Sequence, residues 1–231
     1  MSFKVCRNEL KYFVSYKDYL YLKSIFDVIL ENDIHNKNKE EYWIRSLYFD
    51  TAYNSDYNEK ILGIKNRKKV RLRIYEIDGR YVKLEIKNRY DGYTLKEYVN
   101  ISYEDALNLI NGNKESLLKY NNDVARKVYY LMSKDYYIPS VIVDYEREAY
   151  TYPINNIRIT FDKNIRGSKD VYSFFDKNIH QVNVFEENSI LLEVKYDNML
   201  PKFIREILGT TTSQHSSVSK YCLVKDILEQ V

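Results

Sequence analysis

The segment 67–99 alternates apolar and charged side chains and reverses at Asp-Gly pairs, and this pattern leaves few folds open. The runs 67–75, 81–87 and 93–99 are separated by Asp78-Gly79 and Asp91-Gly92. Period-two alternation is typical of a strand with two different faces, and Asp-Gly between such runs is a strong hairpin signal. The segment therefore predicts a three-stranded antiparallel meander.

The two faces of this meander differ in chemistry. The face predicted to pack on the core consists of Val70, Leu72, Ile74, Val82, Leu84, Ile86, Leu95 and Val99. The opposite face carries Arg71, Arg73, Lys83, Glu85, Lys87 and Lys96. Antiparallel sheets often have one solvated face, so the segment alone fits an ordinary wet surface. It also fits a cationic surface that binds a polyanion, and the rest of the chain decides between the two.

Composition excludes several classes of protein. With 231 residues, of which 45% are hydrophobic, the chain is expected to be globular and to form a single domain over 1–231. A net charge of +3 is too small to indicate nucleic-acid binding. Two cysteines and three histidines stand in no zinc-ligand spacing, and no apolar run approaches a membrane span. We expect a cytoplasmic protein without a transmembrane segment.

Periodicity and capping residues predict an α+β fold with about eight strands and five or six helices. Further strands are predicted at 3–14, 42–50, 140–150 and 157–162, with a last hairpin formed by 182–185 and 189–196. Helices are predicted after Ser15 to about Asn32, up to Gly63, and over 103–110, 114–134, 201–208 and 216–231. The segment 163–181 has little periodicity and is expected to be an irregular excursion, either a lid, a partner site or a loop.

The charged face recurs on strands far from the meander. Arg147 ends one predicted strand, Arg158 and Asp162 alternate along the next, and Glu193 and Lys195 share a face of the last. If helices cover the apolar faces and the sheet curls around its charges, the result is a barrel lined by Arg, Lys and Glu. Burying such charges costs several kcal/mol per ion, in order of magnitude, unless they find partners. A phosphate polyanion suits the basic residues, and a divalent cation suits the carboxylates.

Short motifs that run in order from residue 7 to residue 221 resemble a known family. They are Arg7-Asn8-Glu9-Leu10-Lys11-Tyr12, Ser46-Leu47-Tyr48-Phe49-Asp50-Thr51, Lys69-Val70-Arg71-Leu72-Arg73, Leu84-Glu85-Ile86-Lys87, Tyr145-Glu146-Arg147, Arg158-Ile159-Thr160-Phe161-Asp162, Leu192-Glu193-Val194-Lys195-Tyr196 and Ser219-Lys220-Tyr221. Each motif is weak by itself, but their order is specific. The chain resembles the catalytic domain of the vacuolar transporter chaperone (VTC) polyphosphate polymerases, within the CYTH-like triphosphate tunnel metalloenzyme superfamily.

This resemblance implies both a fold and an activity. The implied fold is an antiparallel, eight-stranded β tunnel barrel with amphipathic helices packed outside. The implied activity transfers the γ-phosphoryl group of ATP onto polyphosphate, releases ADP and requires Mn²⁺ or Mg²⁺. The implied partners are ATP, pyrophosphate and polyphosphate, without nucleic acid.

The same resemblance implies roles for individual residues. The triphosphate would be held by Lys11, Arg71, Arg73, Lys87, Lys96, Arg147 and Arg158, and a phosphate near a tunnel mouth by Ser219 and Lys220. Glu193 would bind the metal. Glu9, Glu85 and Lys195 would orient these groups or bind metal-bound water. The histidines His35, His180 and His215 stand outside the motifs, mostly in polar settings, and are expected in loops or at the surface.

The sequence also departs from related proteins. The triphosphatases and class IV adenylyl cyclases of the superfamily begin with Glu-x-Glu-x-Lys, whereas this chain has Arg7 in place of the first Glu. Loss of that carboxylate favours the polymerase over two-metal hydrolysis. The SPX domain and membrane helices of the eukaryotic polymerases are not found in this sequence, which leaves a separate membrane partner open.

Three alternatives to the polymerase remain. The first is hydrolysis of tripolyphosphate or a nucleoside triphosphate in the same tunnel. The second is a non-catalytic subunit that binds polyphosphate. The third is a nucleic-acid binder, which would need an open basic face with exposed aromatic side chains.

Overall fold

The computed structural model describes residues 7–36, 41–90, 93–185, 189–211 and 214–230. Within these ranges the chain forms eleven strands and six α-helices, which confirms the α+β class. The strands are β1 (Arg7–Ser15), β2 (Glu31–Asn32), β3 (Tyr42–Thr51), β4 (Arg67–Ile74), β5 (Tyr81–Tyr90), β6 (Tyr93–Ser102), β7 (Tyr137–Tyr152), β8 (Ile157–Ser168), β9 (Val182–Asn183), β10 (Ser189–Asp197) and β11 (Gln214–His215). The helices are α1 (Tyr16–Ile29), α2 (Ser55–Ile61), α3 (Tyr103–Ile110), α4 (Asp123–Asp135), α5 (Lys202–Gly209) and α6 (Lys220–Gln230).

The chain divides into two compact units, and each is assembled from segments that are distant in sequence. The first unit comprises Met1–Trp43, Tyr145–Ile165 and Phe185–Val218. The second comprises Ile44–Asp144, Arg166–Val184 and Ser219–Val231. The single domain over 1–231 stays a prediction. In the described ranges, no helix has both the length and the apolar composition needed to cross a lipid bilayer.

The first unit packs α1 against antiparallel strands. The strands lie in the order β11, β1, β10 and β8, with Lys11 opposite Glu193 and Glu193 opposite Thr160. The side chain of Ser15 accepts the amide of Asp18 at 3.1 Å, which confirms the predicted helix cap. The core of this unit is formed by Val14, Leu22, Phe26, Tyr150, Ile159, Phe161, Leu192, Val194 and Ile204.

The second unit contains the predicted meander. Strands β3, β4, β5 and β6 are antiparallel neighbours in chain order, with Leu72 opposite both Leu47 and Leu84. The predicted core face is buried from Val70 to Ile86, where α3 and α4 pack over β5 and β6. On β6 the predicted core face is less buried, because Leu95 is 49% exposed and Val99 is half-buried.

The predicted helix 216–231 begins only at Lys220, and one other helix and one other helix end also differ from prediction. The predicted helix 114–134 is a 3₁₀ segment (Lys114–Lys119) followed by α4, because the side chain of Asn122 accepts the amide of Val124 at 2.8 Å and begins a new helix. The helix predicted to reach Asn32 ends at Ile29, and Glu31–Asn32 pairs with β7 instead. In the helix predicted at 114–134 a side-chain cap at Asn122 begins a new helix, and in the helix predicted to reach Asn32 strand pairing with β7 replaces the last helical residues.

The predicted last hairpin is wrong. Strand β8 continues to Ser168, six residues past its predicted end at Asp162, and β9 pairs with this extension through Arg166 opposite Asn183. Strand β10 instead lies between β1 and β8. Part of the irregular segment 163–181 is therefore strand, and Phe174 in the remainder is fully buried. The predicted turn 186–188 lies outside the described residues.

Gly167 provides a close approach between β8 and α6. A Cβ atom added at Gly167 would lie 2.1 Å from Cγ1 of Val224 and 3.1 Å from the carbonyl oxygen of Ile142. The backbone oxygen cannot move aside as a flexible side chain can. The sequence therefore needs glycine here for packing.

We expect Gly167→Ala to lower the free energy of unfolding by about 1–3 kcal/mol, because overpacking displaces α6 or strains β8. Urea unfolding followed by circular dichroism measures this change. Gly209→Ala is the matched control, since no atom lies within 4 Å of a Cβ at that position. Equal unfolding midpoints for the two variants would contradict the packing argument.

Candidate functional site

One face of the meander in the second unit collects cations. Side chains two residues apart share a face of a strand, and the register brings Lys69, Lys87 and Lys96 side by side on three strands. We call this set the β4–β6 cation face: Arg67, Lys69, Arg71 and Arg73 of β4, Lys83, Lys87 and Arg89 of β5, and Lys96 of β6, with Glu85 among them.

Most pairs of opposed residues between β4 and β5 on this face carry like charges. Arg73 is opposite Lys83, Lys69 is opposite Lys87, and Arg67 is opposite Arg89. The exception between β4 and β5 is Arg71, which is opposite the carboxylate of Glu85. Like charges directly opposite each other on neighbouring strands are destabilising. The face therefore carries electrostatic repulsion that a bound anion would relieve.

Glu85 partly balances these cations. Its side chain is 2% exposed, and its carboxylate lies 2.7 Å from both Nε of Arg71 and Nζ of Lys96. Burial alone would raise the pKa of Glu85, but Arg71, Arg73 and Lys96 together hold it well below its ordinary value. Burial and the two arginines lower the pKa of Lys96 despite its contact with Glu85. Glu85 is thus an ionised carboxylate that orients cations.

Tyr48 belongs to this cluster, although sequence reasoning assigned it no role. Its hydroxyl accepts a hydrogen bond from Nη1 of Arg71 at 2.9 Å, and its ring stacks on Tyr221 with centroids 5.0 Å apart. Burial would raise the pKa of Tyr48, but Arg71, Arg73 and Lys69 lower it to about 8. The signal for Tyr48 was its place in the 46–51 motif, but the pairing of β3 with β4 was not evident.

The start of α6 lies beside the same face. Nζ of Lys69 contacts Oγ of Ser219 and lies 5.4 Å from the ring centroid of Tyr221. The hydroxyl of Tyr221 donates to Asp50 at 2.6 Å, and Asp50 also accepts the amide of Asp56 at the start of α2. These bonds fix the first turn of α6, where Ser219 and Lys220 were predicted to bind phosphate.

A second charge cluster lies in the first unit and consists of Glu9, Lys11, Arg147, Asp162, Glu193 and Lys195. Nζ of Lys11 lies 2.9 Å from Glu9 and 3.7 Å from Glu193, and Nζ of Lys195 lies 2.9 Å from Glu193. Burial would lower the pKa of Lys11, but Glu193 and Glu9 raise it above its ordinary value. Lys11 is therefore a half-buried, charged ammonium group.

The two predicted arginine ligands of this unit have carboxylate partners. Arg147 makes a forked contact with Asp162 at 2.5 and 2.7 Å and lies 3.8 Å from Glu193. Arg158 donates to Asp33 at 2.7 Å and to the hydroxyl of Tyr42 at 3.0 Å. Sequence reasoning did not identify Asp33, which follows β2 and stood next to a predicted helix end.

Every site residue predicted from the sequence lies in one of the two units, and the two sets are separate. Lys11, Arg147, Arg158 and Glu193, with Glu9 and Lys195, are in the first unit, and Arg71, Arg73, Lys87, Lys96, Ser219 and Lys220, with Glu85, are in the second. His35 and His180 are exposed, as predicted, and the side chain of His215 lies outside the description. Cys222 is buried, and Cys6 lies outside the described residues.

The carboxylates fit a divalent cation only together with a phosphate. In the described part of the chain, no group of three or more His, Cys, Asp or Glu side chains is arranged around a common point. Glu193 and Glu9 both approach Lys11, and Glu85 belongs to the other unit. Mg²⁺ in phosphate-handling sites is commonly bound by one or two carboxylates, with substrate oxygens and water completing its shell. Glu193 with Glu9 matches that donor set.

We expect Glu85→Gln to destabilise the second unit by about 3 kcal/mol at pH 7, because it removes the buried carboxylate that pairs with the half-buried Arg71 and faces the buried Arg73. The pKa of Glu85 is depressed in the folded protein, so its stabilising effect is complete above the unfolded pKa and declines as pH falls. The difference in unfolding temperature between the two proteins should therefore shrink below about pH 4.5. A difference that is constant from pH 7 to pH 3 would contradict this.

Comparisons with known proteins agree with the motifs. The VTC domain family matches residues 6–227. A candidate adenylate cyclase from Bacillus halodurans superposes with a TM-score of 0.55 at 12% identity, covering 93% of each chain. A candidate adenylate cyclase from Vibrio parahaemolyticus gives a TM-score of 0.46 at 12% identity, covering 90% of this chain and 87% of the other. At 12% identity, the superposition on the Bacillus halodurans protein shows a shared fold and nothing more. The superposition on the Vibrio parahaemolyticus protein is too weak to support a conclusion.

No curated protein sequence matches significantly. The family match covers nearly the whole chain and includes all eight motifs from which the resemblance was recognised. This protein therefore belongs to the VTC domain family.

Proposed function

We propose that this protein is an ATP-dependent polyphosphate polymerase, which transfers the γ-phosphoryl group of ATP onto polyphosphate and releases ADP. The observation that carries the proposal is the β4–β6 cation face, where lysines and arginines oppose one another across strands beside the carboxylate of Glu85. An anion with many charged oxygens relieves this repulsion, and arginine forks match phosphate geometry. Membership of the VTC domain family supports the same choice of substrate.

On the β4–β6 cation face, Arg71 and Arg73 would hold the triphosphate from one strand and Lys87 and Lys96 from the next two. Glu85 already bonds Arg71 and Lys96 and limits the directions their donors can take. Such preorganisation reduces the free energy spent on ordering side chains when the substrate binds. Ser219 and Lys220 would bind a phosphate at the start of α6, where backbone amides also favour an anion.

In the first unit, Lys11, Arg147 and Arg158 would bind phosphate oxygens. Asp162 and Asp33 hold the two guanidinium groups in defined orientations but still leave some of their five N–H donors for a ligand. Lys195 contacts Glu193 and would orient it.

The divalent cation, Mn²⁺ or Mg²⁺, would be held by Glu193 with support from Glu9. When bound, it would neutralise phosphate charge and polarise the phosphoryl group as a Lewis acid. The protein's own residues position ATP and the acceptor. A phosphate acceptor is already an oxyanion, so the reaction needs no strong general base, in agreement with the exposed His35 and His180.

The eight-stranded tunnel barrel, a cytoplasmic location and a separate membrane partner remain predictions. The proposal itself is tested by incubating purified protein with ATP, Mn²⁺ and a trace of pyrophosphate. Long chains on a polyacrylamide gel, with ADP equal to the phosphate incorporated, would support the polymerase. Free phosphate without chains would favour hydrolysis of tripolyphosphate or nucleoside triphosphate. Tight tripolyphosphate binding without either product would favour a non-catalytic binding subunit.

We expect Arg73→Ala and Lys87→Ala each to lower the rate of polymerisation roughly tenfold to a hundredfold, because one charge-assisted phosphate contact is lost. Circular dichroism checks that the fold persists. Lys134→Ala, on the exposed side of α4, is the matched control and should retain full activity. Near-normal rates in both site variants would refute the role of this face.

We expect Glu193→Gln to lose activity and also to weaken Mn²⁺ binding, because an amide is a poorer ligand for a hard cation than a carboxylate. Electron paramagnetic resonance of free Mn²⁺ in the presence of tripolyphosphate measures binding without turnover. Glu97→Gln, on the opposite face of β6, serves as the control. An unchanged Mn²⁺ titration for Glu193→Gln would exclude this residue as the metal ligand.

A further inference from the structure

We propose that Arg67 and Arg89 form an outer subsite that binds a polyphosphate chain beyond the length of a triphosphate. This inference rests on the proposed function and extends it to the length of anion that the protein selects. Neither arginine belongs to the set of site residues predicted from the sequence.

The first argument is register. Arg67 begins β4 and is directly opposite Arg89 near the end of β5, on the same face as Lys69 and Lys87. The arginine pair therefore continues the β4–β6 cation face by one more cross-strand row. It lies two residues beyond the lysine pair, a separation of roughly 7 Å along the strands.

The second argument is charge. Among the described residues, no ion pair joins a carboxylate to Arg67 or Arg89, although Glu59 lies near enough to Arg67 to act on its charge. Nη1 of Arg67 donates to the carbonyl oxygen of Ile64 at 2.6 Å, which holds the guanidinium near the start of the strand. Partial burial and the charge of Arg89 lower the pKa of Arg67. The carboxylate of Glu59 acts on Arg67 in the opposite direction and offsets part of this effect. Two opposed guanidinium groups repel each other, and an anion between them would relieve the remaining repulsion.

The third argument is length. The row formed by Arg73 and Lys83 is six residues from the row formed by Arg67 and Arg89, or roughly 20 Å along β4. Three phosphorus atoms joined by two bridging oxygens span much less than this distance. A ligand that contacts both ends of the face must be a longer linear polyanion, and polyphosphate carries charge on every unit.

A phosphate headgroup of an anionic lipid shares this chemistry and is the competing source of the ligand. Ile61 and Leu62, at the end of α2, are 58% and 74% exposed, and Ile64 contacts Arg67 through its carbonyl. The arginine pair is continuous with the cation face, which favours linear polyphosphate as the ligand. Binding to a bilayer surface would not require the cation pairs further along β4 and β5.

The test compares ligands of different length on the double variant Arg67→Gln/Arg89→Gln. Isothermal titration calorimetry measures dissociation constants for tripolyphosphate and for a polyphosphate of several tens of units. We expect the constant for the long chain to rise about tenfold, through two lost charge-assisted contacts that are partly exposed to solvent. The constant for tripolyphosphate should change less than twofold.

The matched control is Arg126→Gln/Lys134→Gln, which removes two positive charges from exposed positions of α4. It should leave both constants within twofold of the original protein, which excludes a general effect of net charge. Equal weakening for both ligands, or no weakening for the long chain, would overturn the outer subsite.

Two further outcomes distinguish failure of the outer subsite from failure of the proposed function. If the unchanged protein binds both ligands and makes polyphosphate but the double variant behaves identically, the subsite fails while the proposed function stands. If the unchanged protein binds neither ligand, both fail. Sedimentation with phosphatidylglycerol vesicles completes the test, since loss of vesicle binding alone in the double variant would assign the arginines to lipid and overturn the proposal.

Discussion

The ionised carboxylate of Glu85 is the interaction on which the β4–β6 cation face depends. It lies between Arg71 and Lys96, with Arg73 3.9 Å away, and it is nearly inaccessible to water. One negative charge orients three cations but does not neutralise them. The face can therefore fold without a ligand, because Glu85 offsets part of its charge. It also retains a net positive charge that favours a bound anion.

Local patterns predicted the meander, because each of its hairpins is encoded by a few adjacent residues. The alternation placed Arg71, Arg73 and Lys87 on one face correctly, and Asp-Gly pairs marked the reversals. Contacts between distant segments were not predictable in the same way. The pairing of β3 with β4 brings Tyr48 to Arg71 across α2, and only the folded chain shows that this phenol lies among cations.

The errors have a common physical origin in long-range pairing. Strand β8 extends past Asp162 because β9 is available to pair with it, and neither run has a strong periodic signal of its own. Asp33 could not be recognised as the partner of Arg158, since the two are far apart in sequence and Asp33 stood next to a predicted helix end. Charge type can be read from sequence, whereas the choice of partner depends on tertiary structure.

The interleaving of the two units constrains how the chain can fold during synthesis. The second unit begins at Ile44 but includes Ser219–Val231, so α6 can pack against Gly167 only after the intervening residues 44–218 have been synthesised. Contacts of such high sequence separation form slowly and expose unfinished surfaces in the meantime. Truncation before α6 would remove the anchor between Tyr221 and Asp50 together with the helix, leaving the buried face of the second unit open to chaperones and proteases.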